Sequence, residues 1–140
     1  MIIKKFYPFI LLLLILGCKH TVVRNNAPED IQESTEFVRN FYAIVARDQF
    51  DSASTFFSNS FGVEAGKSVL NQVKRANGEL MEIEIVQVRT SYIEEVSNVR
   101  KDYGVEINTI YSNGKAVEQI HLINENDKLK IDGYHIKVAV

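Results

Sequence analysis

The chain has 140 residues, a net charge of −2 and 46% hydrophobic residues, which suits one domain with its own core. Its 16 lysines and arginines form no cluster, so the basic footprint of a nucleic-acid binder is absent. A single cysteine excludes an intrachain disulfide and a cysteine-built zinc site.

In chain order the first element is MIIKKFYPFILLLLILGC, a short basic start, an apolar run and a small residue before Cys18. It reads as an export signal. The apolar run from Phe6 to Gly17 has 12 residues, whereas a membrane-spanning helix needs about 20. Ile15-Leu16-Gly17-Cys18 resembles the lipobox of bacterial lipoproteins, with Leu16 a less usual middle residue. The resemblance implies cleavage between Gly17 and Cys18, removal of residues 1–17, and a thioether-linked diacylglycerol on Cys18. One acyl chain holds a protein only marginally, at about 0.8 kcal/mol per buried CH₂, but two or three make desorption slow. Without residues 1–17 the 16 basic residues lose Lys4 and Lys5, leaving 14 against 18 acids and a net charge of −4. Lys19 after the cysteine, rather than aspartate, resembles the pattern of outer-membrane lipoproteins and implies an anchor facing the periplasm.

Residues 18–27 are expected to be the lipidated cysteine and a polar tether, and residues 28–140 a single domain. A flexible link of nine residues (19–27) would span about 17 Å. The first helix is expected to start near Asn26, with Asn26 and Glu29 at capping-box spacing and Pro28 in the first turn. Ile31, Val38, Phe41, Tyr42 and Val45 give it one apolar face through about Ala46. A short second helix is expected from Asp51, as its cap, to about Ser58. A third spans about Gly66 to Ala76 and stops at Asn77-Gly78.

From Leu80 the period changes to two. Met81, Ile83 and Ile85 share one parity and Val86 and Val88 the other, which predicts a bulge at Ile85-Val86. A second strand runs from Asn98-Val99 to Tyr111. Asn113-Gly114 then predicts a hairpin turn of type I′. A third strand covers Ala116–Ile123, a turn Asn124–Asp127, and a last strand Lys128–Val140. Leu129 and Ile131 oppose the parity of Tyr134, Ile136 and Val138, so a bulge is expected at Gly133. The fold class is thus α+β, with N-terminal helices on a curved, four-stranded antiparallel sheet.

EFVRNFYAIVARDQFDSASTFFS and the closing VEQIHLINENDKLKIDGYHI are similar to the two ends of small bacterial domains of the nuclear transport factor 2-like superfamily. Leu129 stands where many relatives carry tryptophan. The resemblance implies a cone in which the sheet wraps a helix around a central pocket. It implies no single activity, because that fold hosts enzymes, binding modules and accessory domains.

Few residues present themselves for chemistry. Glu118 and His121 have metal-like letters, but residues three apart on a strand face opposite sides and cannot chelate together. Asp132 and His135 form a candidate acid–base dyad if a bulge at Gly133 turns them to one face. The aromatic set Phe37, Phe41, Tyr42, Phe50, Phe56, Phe57 and Phe61 reads as core. Its functional alternative is an apolar pocket, with Phe41, Tyr42 and Tyr134 as candidate ligand-binding residues. No cofactor or metal is expected.

The expectation is a lipid-anchored, non-enzymatic module binding a small apolar ligand or a protein partner. Two alternatives stand beside it: an enzyme using Asp132 and His135, and an envelope assembly protein working as an oligomer. Homodimerisation is left open.

Overall fold

Val22 and Val23, two β-branched residues in the stretch read as tether, begin the fold. In the computed structural model, which describes residues 20–139, they belong to strand β1 (Val22–Asn25). The chain continues through helices α1 (Pro28–Val45), α2 (Phe50–Ser54) and α3 (Val63–Asn77). Strands β2 (Leu80–Glu95), β3 (Asn98–Tyr111), β4 (Gly114–Glu125) and β5 (Lys128–Val138) follow. The sheet has five strands in the order β1-β2-β3-β4-β5, all antiparallel. The class is α+β as expected, and the strand count is corrected from four to five. The lipobox with Gly17 and Cys18 lies outside the described residues.

β1 forms because its partner is waiting. Arg24 stacks on Tyr92, its Cζ 3.7 Å from the ring centroid, and its guanidinium binds Asp30 at 2.9 and 3.1 Å. Tyr103 donates to the same carboxylate at 2.9 Å. Burial alone would push the Asp30 carboxyl up, but Arg24 and Tyr103 outweigh it and hold the group below its ordinary value. The expected capping box does not form. Ala27 is the N-cap, and Asn26, at φ 53°, instead exchanges two hydrogen bonds with Thr90. Pro28 does occupy the first turn. Gln49 rather than Asp51 precedes α2, and Asp51 pairs with Lys67 of α3. α2 ends at Ser54, and the next residues leave the helix to bond to β5.

The inner face of the sheet follows from parity. Tyr103, Val105, Ile107, Thr109 and Tyr111 of β3, and Ala116, Glu118, Ile120 and Leu122 of β4, are all buried. Tyr103, Val105, Ile107, Ile120 and Leu122 pack with Val38, Phe41, Tyr42 and Val45 of α1 and with Phe57 in the main core, while Tyr111 and Ala116 form a second cluster with Val73 of α3. The aromatic set is core, as expected: Phe41 packs edge-on against Tyr42 and Phe57.

Both expected bulges are present. Val86 is the extra residue between the pairs Ile85↔Ile107 and Gln87↔Glu106. In β5 the extra residue is Asp132, one position before the expected glycine, so Tyr134 and Ile136 return to the inner face opposite Ile120 and Glu118. Gly133 is not at positive φ. Its constraint is space, since a Cβ there would lie 3.1 Å from the Cβ of His121.

The hairpin at Asn113-Gly114 forms, but its two loop residues are Ser112 and Asn113, and neither is at positive φ. The tip is instead sewn to the end of α3 and the residues after it, through Asn113 to Asn77 and Ser112 to Glu79. Positive φ at both central residues, as a type I′ turn needs, occurs between β4 and β5, at Asn126 (50°) and Asp127 (61°).

Candidate functional site

Two arrangements of polar side chains stand out, one inside the curl of the sheet and one on its outer surface.

Inside, Glu118 sits at 0% exposure among apolar residues of the same strand face. Tyr42 of α1 donates to its Oε2 at 2.8 Å, and Tyr111 of β3 to its Oε1 at 2.8 Å. Tyr134 of β5 makes a short hydrogen bond to the same Oε1. Three elements therefore meet on one carboxylate. Burial pushes the Glu118 carboxyl above its ordinary value, and the three phenol donors pull part of the way back. Burial and the neighbouring carboxylate also drive Tyr42, Tyr111 and Tyr134 upward, so all three remain phenols that donate. The hollow beside them, bounded also by Val45, Leu70 and Val73, amounts to about 10 Å³. That is about one water's worth of space, far below the several hundred Å³ of a small-molecule site.

The candidates Tyr42 and Tyr134 are brought together on Glu118. Phe41 is fully buried beside them as packing. Asp132 and His135 are not joined. Asp132 accepts from Ser58 Oγ at 2.6 Å, whereas His135 is exposed on the outer face opposite Gln119. Glu118 and His121 do lie on opposite faces. The centre at Glu118 was not anticipated, although its signal was present: residues 116, 118, 120 and 122 read Ala-Glu-Ile-Leu on the inward parity.

Outside, cross-strand pairing lays side chains in two rows. Arg89, Gly104, His121 and Gly133 form one row across β2 to β5. Gln87, Glu106, Gln119 and His135 form the adjacent row. The two glycines flank His121 and leave backbone bare, which opens a depression of about 410 Å³ lined by these residues. Nothing lies within 4 Å of where a Cβ on Gly104 would stand. His121 Nε2 is 2.8 Å from Asp102 Oδ1, an interaction that orients the imidazole between the two glycines. Both side chains are well exposed, at 42% and 67%. The lining offers a cation, a carboxylate, amides and imidazoles open to water, a surface suited to recognition.

Among the described residues no group of three or more His, Cys, Asp and Glu side chains is placed to hold a metal ion. Among them, too, no helix is long and apolar enough to cross a membrane. No protein-family model matches the chain, and no curated protein matches it.

Proposed function

We propose that this protein is a lipid-anchored envelope lipoprotein, attached through Cys18 to the outer membrane and facing the periplasm. Its domain is a cone of the nuclear transport factor 2-like kind that serves as a binding module, working through the outer face of its sheet. The observation that carries the reading is the contrast between the two polar arrangements. The hollow beside the tyrosines of Glu118 holds about 10 Å³, with the carboxylate met by Tyr42 and Tyr111, and a groove of about 280 Å³ lies to one side between α1 and the start of β2. The outer depression is about 410 Å³ and has unoccupied backbone at Gly104. Of the two expected occupants, a small apolar ligand or a protein partner, the protein partner fits this surface better, because its rows present a cation, a carboxylate, amides and imidazoles to water.

The test is Gly104→Val in the full chain, followed by native mass spectrometry of gently solubilised extracts. Valine suits a strand and meets no neighbour here, so thermal stability is expected to stay level or rise. A companion bound to the parent is expected to be lost. A companion retained at full occupancy overturns the outer-face reading. The anchor is tested separately: labelled fatty acid should enter the parent and not Cys18→Ser, and the mature parent should lack residues 1–17.

A further inference from the structure

We infer that the turn joining β2 to β3, with Val96 at its tip, is the surface on which the anchored domain rests against the lipid bilayer; this rests on the lipid-anchor reading above.

The geometry begins with β1. Val22 pairs with Glu94 and the strands are antiparallel, so the chain preceding Val22 leaves the sheet at the end where β2 turns into β3. β1 is held there by ladder pairing from Val22↔Glu94 to Asn25↔Ser91 and by Arg24 on Asp30 and Tyr92. Only Lys19, His20 and Thr21 separate Cys18 from Val22. Four residue steps reach at most about 14 Å. The link is far shorter than the tether read from the sequence, because β1 has taken four of those residues into the sheet. A lipid on Cys18 therefore brings this end of the sheet to the membrane and keeps it there.

The turn itself is built for such a contact. Its two residues are Val96 and Ser97, and Val96 is 80% exposed. Turn tips in water favour glycine, asparagine, aspartate and serine. The other two strand-to-strand turns obey that rule with Ser112-Asn113 and Asn126-Asp127. Among the strand-to-strand turns of the described residues, an apolar tip occurs only at the one beside β1. One valine does not hold a protein on a membrane, and the acyl chains do that work. Val96 instead selects which way the tethered domain lies. Glu94 and Glu95 beside it disfavour an anionic surface, so a zwitterionic one is the fitting partner.

Cys18 is the only cysteine, so once it is acylated an introduced thiol is unique. Full-length acylated protein carrying Val96→Cys or Asn113→Cys, each labelled with a small fluorophore, is placed in phosphatidylcholine vesicles containing a nitroxide-headgroup lipid. β3 separates the two positions by up to about 45 Å. Quenching at position 96 is expected to exceed that at 113 several-fold. In unlabelled protein, amide exchange on vesicles should slow around residues 94–98 and not around 112–114. Equal quenching, greater quenching at 113, or unchanged exchange at the β2–β3 turn in acylated protein overturns the orientation alone. A parent whose mass shows no lipid overturns the anchor reading and this inference with it.

Discussion

Tyr42 and Glu118 lie 76 residues apart and meet at 2.8 Å, the phenol of α1 donating to a carboxylate of β4 that no solvent reaches. The contact ties the long helix to the middle of the sheet. Tyr111 and Tyr134 complete the set from the two strands flanking β4. A buried carboxylate is tolerated only when its lone pairs are met, so each tyrosine matters out of proportion to its size.

Tyr42→Phe keeps the ring packing and removes one donor. It is expected to destabilise the domain by about 1–3 kcal/mol, the usual cost of leaving part of a buried carboxylate unpaired. Chemical denaturation measures this. A variant as stable as the parent would mean that the hydrogen bond contributes nothing net.

Stability should respond to pH with opposite signs at Glu118 and Asp30. The Glu118 carboxyl is held above its ordinary value, so its stabilising contribution is present at low pH and is lost as pH rises through the raised value. Relative to Glu118→Gln, the parent should therefore lose ground from about pH 4 upward. Asp30 is held below its ordinary value, so its contribution is present at neutral pH and disappears as pH falls through the lowered value. The gap between parent and Asp30→Asn should accordingly close in acid. Denaturation of both variants across pH 3–8 decides it, and a flat difference for either refutes the assignment for that residue.

Gly66 sets two effects against each other. In a helix interior alanine is worth about 1 kcal/mol over glycine, an upper bound for Gly66, the fourth residue of α3. A Cβ at Gly66 would, however, lie 2.4–2.8 Å from three ring atoms of Phe57, which is fully packed between α1 and α3. Overpacking of that kind costs about 1–3 kcal/mol, so Gly66→Ala should be net destabilising. Adding Phe57→Leu should make the alanine less costly. An alanine variant more stable than the parent would show that the ring moves aside freely.

Gly133→Val is expected to destabilise, in contrast to Gly104→Val on the same row. The new side chain at 133 meets the Cβ of His121 at 3.1 Å and must branch beside it, while position 104 is open. Equal melting temperatures for the two variants would contradict the register drawn between β4 and β5.

Much of this architecture could be read from local pattern. The parity change at Ile85-Val86 marked a bulge because a period of two leaves no other way to bring Ile83, Ile85 and Val88 to one face, while Met81 and Val86 remain exposed. The switch between Ile131 and Tyr134 did the same, although which residue was extra depended on pairing with β4. Glu118 was legible too, as an acid on an inward parity, but its three donors come from distant parts of the chain. Asp132 and His135 looked adjacent in sequence, and the strand geometry sends one to Ser58 and the other to the outer face.

The order of residues by itself determined the α+β class, the three helices, the four long strands and the bulges in mid-β2 and β5, but not a third irregularity at Met81, between the pairs of Leu80 and Glu82 with β3. Periodicity, glycine and proline act over a few residues and need no partner. Only the tertiary structure decided that Val22–Asn25 is a strand, that Asn26 serves Thr90 rather than a helix end, and that Ser112 and Asn113 form a turn without positive φ. It alone assembled the tyrosines on Glu118 and aligned Gly104, His121 and Gly133 into a hollow. In each of these the deciding energy comes from a group far away in the chain, a ladder partner, a buried acceptor or a neighbouring strand, which no local window contains.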